Sequence, residues 1–177
     1  MISKVIKFII DGRILWLARG FIYKLFTKSS GVFYLGKPIY VYGLSRLSIG
    51  NRVGIFPGLR LEVLREAFLK IGNNVSIGQG FHVVVKGSLV IDDSTIISGN
   101  VLVTDLENRI DQVDLRYSDR EETVKDVYIG KNCFIGYGAV ILPGTHLEYG
   151  CSVGANSVVK GHYPKNSIVA GVPSKLV

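Results

Sequence analysis

Residues 127–160 read VYIGKNCFIGYGAVILPGTHLEYGCSVGANSVVK, and stepping through them six at a time decides the fold. Ile129, Ile135, Ile141, Leu147, Val153 and Val159 are all aliphatic, and Cys133, Ala139, Thr145, Cys151 and Ser157, four places after successive members of that series, are all small. A period of six is neither the 2.0 of an isolated strand nor the 3.6 of a helix. It is a repeat, and hexapeptide repeats build parallel β-helices, with one inward aliphatic on each flat face and a small residue at each corner.

The same step runs backwards, with breaks, from Val103 to Ile39. The predicted inward positions are Ile49, Ile55 and Leu61, then Ile71, Ile77 and Val83, then Ile91, Ile97 and Val103. With the six above they make five triples, hence about five coils. The extra residues fall between 61 and 71, 83 and 91, and 103 and 129, always between the third face of one coil and the first face of the next. Every insertion therefore leaves the prism at one corner, and insertions on one side of a solenoid often mark its binding side. The longest, residues 104–126, carries eight acids and four bases. A loop of that length rooted on a rigid scaffold is a candidate functional element, its ordinary alternative being a solvated surface loop.

Residues 2–26, ISKVIKFIIDGRILWLARGFIYKLF, predict one or two short helices broken near Gly12 and Gly20. Charges interrupt each apolar run before it reaches the ~18–20 residues of a membrane span, and no clean cleavage site follows, so neither a span nor a signal peptide is expected. Residues 1–38 read as a helical cap over the open end of the solenoid, and 39–177 as the repeat domain. Lys4, Lys7, Arg13, Arg19, Lys24 and Lys28 stand against Asp11 alone in residues 1–28, and with Trp16, Phe21 and Phe26 they offer a second, less favoured reading compatible with the cap, an anionic membrane surface. The net charge of +7 points to polyanionic partners; no nucleic-acid motif accompanies it, which leaves an anionic membrane or phosphorylated substrates and cofactors. Cys133 and Cys151, three hexapeptides apart, would stack about one strand spacing (~4.8 Å) apart; that permits a disulfide, but two buried, reduced thiols are the expectation.

The repeat, the interrupting loop and the ending NSVVKGHYPKNSIVAGVPSKLV (156–177) resemble the left-handed β-helix acyltransferases. They are most similar to the O-acetyltransferases of bacterial surface polysaccharides and to the maltose and galactoside acetyltransferases. The resemblance covers about residues 40–177 and implies an all-β, left-handed parallel β-helix. It also implies a cytoplasmic homotrimer with sites between neighbouring prisms, acetyl-CoA as cosubstrate, no metal, and a sugar or oligosaccharide acceptor. Carried over by position, pantetheine would pass Tyr137 and Ala155, and the adenosine end would meet Lys160, Gly161, Pro173 and Lys175. Tight corners alone would also call for small residues there.

The catalytic histidine that the family places at the start of the long loop is missing from Val103-Thr104-Asp105-Leu106-Glu107-Asn108. Asn108 is the best match to that position and Leu106 the second. Asparagine accepts no proton at neutral pH, so it positions a substrate without deprotonating it. Either Asn108 replaces the base, in an engineered or a naturally inactive form, or another histidine serves. His82 is the first candidate, since Val83 and Val103 stack one coil apart; His146 lies further along the insertion corner and His162 near the adenosine end. Asp105 would orient a base at 108 or cap the loop start. The three histidines share no close spacing, which argues against a zinc-dependent β-helix carbonic anhydrase. N-acylation of a nucleotide-linked amino sugar and a non-catalytic trimer that binds CoA or glycan stay open beside O-acetylation.

Overall fold

In the computed structural model the described residues are 12–108, 116 and 122–177. They form a parallel β-solenoid of three faces, numbered here from the strand Phe33–Leu35, so that each predicted triple begins on the third face and ends on the second. The first face holds Phe33–Leu35, Val53–Ile55, Ser76–Ile77, Ile96–Ile97, Phe134–Ile135, Ser152–Val153 and Ile168–Gly171 in ladder order. The second holds Tyr40–Tyr42, Arg60–Val63, His82–Val85, Leu102–Thr104, Val140–Ile141 and Val158–Val159. The third holds Leu47–Ile49, Phe68–Ile71, Ser88–Ile91, Val127–Ile129, His146–Leu147 and His162–Tyr163. The prism thus has about six turns. All fifteen predicted inward positions are buried and fall on the expected faces. Leu35 and Val41 precede that series and Tyr163 and Val169 follow it, which adds the extra coil.

Each corner is built from two consecutive residues with different tasks. Between the third and first faces the buried position is Val53, Val75, Thr95, Cys133, Cys151 and Ser167 in successive coils. The residue before each, Arg52, Asn74, Ser94, Asn132, Gly150 and Asn166, has positive φ. Between the first and second faces the left-handed residues are Gly58, Gly80, Asn100, Gly138 and Asn156, each followed by a buried residue. Left-handed backbone is cheapest for glycine and next for asparagine, which is why those two dominate. Cys133 and Cys151 are free and buried, and burial pushes the Cys133 thiol up to about 11. Thr95 satisfies its hydroxyl on the carbonyl of Gly130, 2.8 Å away, so a polar residue is tolerated in the stack.

The N-terminal helix, α1 (Arg13–Lys24), runs unbroken through Gly20. The sequence reads Gly20 as a break; the structure uses it as a contact, because a Cβ there would lie 2.0 Å from the carbonyl oxygen of Phe33. Arg19 donates to the carbonyl of Leu35 at 2.7 Å, on the edge of the first strand that no earlier coil covers. Trp16 meets Phe56 edge-on with ring centroids 5.3 Å apart, and Tyr23 packs on the core. Any helix over residues 2–11 lies outside the described residues. At the far end Ser174–Leu176 turns back antiparallel on Ile168–Gly171. Among the described residues no helix is long and apolar enough to cross a membrane.

Candidate active site

All three lengthened connections leave at the corner between the second and third faces. The long insertion begins there as a two-stranded antiparallel hairpin, Leu106–Asn108 against Glu122–Val124, with Asn108 paired to Glu122. Residues 109–115 and 117–121 lie outside the described residues. Asp105, fully buried, fixes the root: its carboxylate accepts the backbone N–H groups of Lys86 and Gly87 at 2.8 and 2.7 Å. Asp126, at the other end of the insertion, accepts the N–H of Ser88 at 3.1 Å. Gly87 is required where it stands, since a Cβ would come within 2.7 Å of Val124 Cγ1. Burial pushes the Asp105 carboxyl above the ordinary range, the two N–H groups pull against that, and Asp126 pushes it further up. The side chain thus spends its acceptors on the turn below it. Its observed contacts are those of a loop anchor, the capping role.

Two ion pairs run from the hairpin along this corner. Glu122 pairs with Lys86 in the coil before, and Glu107 pairs with Lys160 in the last coil, both carboxylate oxygens 2.9 Å from Nζ. The insertion therefore stands against the prism edge, bridging coils on either side of its root.

His82 lies on the outward side of the second face, between Arg60 and Leu102 in the ladder, one coil before the strand that feeds the hairpin. Its Nε2 is buried and has no hydrogen-bond partner among the described residues. Burial, then the neighbouring Arg60, hold the imidazole below its usual value, with Glu62 opposing. A neutral imidazole with a free ring nitrogen is the form a general base needs. His146 and His162 are elsewhere, on the outward third face, ring centroids 4.8 Å apart, with Tyr128 below His146 and Glu148 bonded to His162 at 2.9 Å. No group of three His, Cys, Asp or Glu side chains suited to a metal ion occurs among the described residues.

The positions considered for the cofactor fall into two groups. Tyr137 and Ala155 occupy the corner between the first and second faces in consecutive coils, where Asn156 donates its N–H to the Tyr137 carbonyl at 2.8 Å. The Tyr137 hydroxyl accepts from Asn100 Nδ2 at 2.5 Å. Lys160 and Gly161 occupy the insertion corner. Tyr163 draws the C-terminal hairpin toward them, its hydroxyl 3.3 Å from the Lys160 carbonyl and 2.8 Å from Ser174 Oγ. Pro173, after a cis peptide bond, and Lys175 belong to that hairpin. Within one prism the two corners are separated by the width of the second face, roughly 15–20 Å for about six residues at strand rise.

The family model "Hexapeptide repeat of succinyl-transferase" matches residues 126–160. The chain is 29% identical over 151 residues to the "Putative lipopolysaccharide biosynthesis O-acetyl transferase WbbJ" of Escherichia coli K12, covering 79% of this chain and 75% of that protein. The chain is thus similar to the hexapeptide-repeat acyltransferases over most of its length. Another relative in this family is the dTDP-4-amino-4,6-dideoxy-D-glucose acyltransferase of E. coli, 29% identical over 143 residues, 76% of this chain and 72% of that one. The fold is shared with AntD, an N-acyltransferase from Bacillus cereus solved with dTDP and 3-hydroxybutyryl-CoA. That likeness has a TM-score of 0.73 at 22% identity, over 88% of this acyltransferase chain and 85% of AntD.

What sequence reasoning missed at this site is its wiring. The partners of Asp105 lie 19 and 18 residues earlier, and that of Glu107 lies 53 residues later. The available signal was coil register: Lys86, Gly87 and Asp105 all stand just past the second face, in successive coils.

Proposed function

We propose that this chain is an acetyl-CoA-dependent O-acetyltransferase acting on a sugar hydroxyl in bacterial surface-polysaccharide assembly, O-antigen or capsule, as a cytoplasmic homotrimer. The observation that carries the reading is the anchored polar hairpin at the one corner where all insertions leave a hexapeptide-repeat prism. The similarity to WbbJ supports the acceptor class. Tyr137 and Ala155 at one corner, and Lys160, Gly161, Pro173 and Lys175 nearer the other, would contact the cofactor. Thin backbone approaches suit pantetheine, and the lysines suit phosphate. Since the corners are a face apart, the hairpin of one protomer and the Tyr137 corner of its neighbour together would form a site.

In the reaction the sugar oxygen attacks the thioester carbonyl carbon as its proton passes to a base. Backbone N–H groups hold the oxyanion, the C–S bond breaks, and CoA leaves as the thiol after taking the proton. Asn108 stands where the base is expected and takes no proton; His82 is the chain's own candidate. The test follows acetyl-CoA consumption with glycan acceptors for this chain, Asn108→His and His82→Asn. A gain of at least ~10²-fold in Asn108→His assigns the base to position 108. Equal activity of the first two with loss in His82→Asn assigns it to His82. CoA binding with no turnover in any form refutes the enzymatic reading in favour of a binding trimer.

N-acylation of a nucleotide-linked amino sugar is the second reading. It is favoured by the E. coli relative named for acylating dTDP-4-amino-4,6-dideoxy-D-glucose and by Asn108 itself, because an amine acceptor demands less of a base. Turnover with dTDP-linked amino sugars, and none with hydroxyl acceptors, would select it.

A further inference from the structure

Helix α1 presents its apolar side to solvent. Trp16, Arg19, Gly20 and Tyr23 face the prism, while Leu25 is 81% exposed, Leu15 67%, Phe26 61% and Ile22 58%. At 100° per residue Leu15 and Ile22, with Ile14, Ala18 and Phe21, fill an uninterrupted arc of about a third of the helix circumference without a charge, and Leu25 and Phe26 follow in the turn after Lys24. Val32, Ile39 and Phe56, also exposed, extend apolar surface over the same end of the prism. A lone exposed leucine means nothing; a contiguous apolar patch of this kind marks an interaction surface.

The charge around the patch identifies its partner. From residue 12 to residue 61 the chain has no Asp or Glu and eight bases: Arg13, Arg19, Lys24, Lys28, Lys37, Arg46, Arg52 and Arg60. Several are held on backbone carbonyls, Arg19 on Leu35, Lys24 on Ser30 and Arg46 on Val63, which orients them without neutralising them. Arg60 alone of these pairs with a carboxylate among the described residues, that of Glu62. Of the 14 acids Asp11 alone precedes this stretch; the rest come later in the sequence, eight of them in residues 104–126. The molecule is therefore polar along its axis, with a basic, apolar-faced N-terminal end.

We propose that this end is a membrane-docking surface for an anionic lipid bilayer, with α1 lying in the interface plane. Apolar side chains would enter the headgroup boundary and the surrounding bases would meet lipid phosphates. A second copy of the chain would bring like charge against like charge, and nucleic acid offers nothing to the apolar arc. The inference does not depend on the acyl-transfer reading.

Flotation of the full chain with phosphatidylcholine vesicles, with and without phosphatidylglycerol, tests it. The expected result is co-flotation only with the phosphatidylglycerol vesicles, weakened by salt, and reduced at least about tenfold in a Leu25→Glu/Phe26→Glu double variant. Both side chains are mostly exposed, so that variant keeps its circular dichroism and melting temperature. Absence of flotation on either vesicle overturns the proposal. So does flotation unchanged in the variant, a drop in sedimenting mass in the variant that reveals a protein interface, or retention by DNA in place of vesicles.

Discussion

Asp105 and Asp126, near the two ends of the long insertion, hold consecutive backbone N–H groups of one turn: Lys86 and Gly87 for the first, Ser88 for the second. Replacing Asp105 by Ala leaves two part-buried donors without that acceptor, at up to about 1–3 kcal/mol each. Asp105→Ala is therefore expected to lose about 2–5 kcal/mol in denaturant unfolding. Asp105→Asn, which keeps one good acceptor, should lose less. A pair of equally mild losses would show that the clamp contributes little.

The Glu107–Lys160 pair is exposed on both sides, 44% and 45%. Pairs of this kind contribute about 0–1 kcal/mol, so Glu107→Gln should shift the melting temperature by less than about 4 °C. Its effect belongs to binding. Releasing Lys160 from its carboxylate should tighten CoA by about two- to fivefold at low salt. Calorimetric titration measures this, and an unchanged affinity would remove Lys160 from the phosphate site.

His82 is held below the usual imidazole value by burial and Arg60, so the native state prefers it neutral. A lowered native pKa contributes stability above the unfolded value of about 6.5 and loses it as pH falls. Between pH 7 and pH 5 the urea midpoint of the unaltered chain should fall more steeply than that of His82→Leu. Parallel midpoints would mean that the ring is as easily charged folded as unfolded.

In an exposed helix interior Gly→Ala stabilises by about 1 kcal/mol. At Gly20 the sign reverses, because the new Cβ would lie 2.0 Å from the Phe33 carbonyl oxygen, a backbone atom that gives way only if the helix moves. Gly20→Ala should cost about 1–3 kcal/mol. It should also shift the emission of Trp16, the single tryptophan, to the red as its contact with Phe56 opens.

The prism was legible because its period is strict: an aliphatic at every sixth place has no other economical home, and even the corner carrying the insertions follows from arithmetic. The chain ends were harder. Val41 and Tyr163 sit beside connections of unusual length, where the step fails. The left-handed corner residues hid behind variety, since Arg52 and Ser94 occupy slots that asparagine and glycine usually fill. Gly20 looked like a helix breaker because propensity is local, whereas its reason is a carbonyl on another element. At the site, composition singled out the loop, but its fastening to residues 86–88 and 160 depends on which coils become neighbours in space.

A stack of parallel strands is a template that could add copies of itself end to end without limit. The first face shows how this chain refuses: α1 and Arg19 occupy one terminal edge, and at the other the short strand Ser174–Leu176 reverses direction, preceded by Pro173 and carrying Lys175. Short, charged, proline-flanked edges are poor seeds for fibre growth. Removing residues 173–177 would therefore threaten solubility before it threatened the fold.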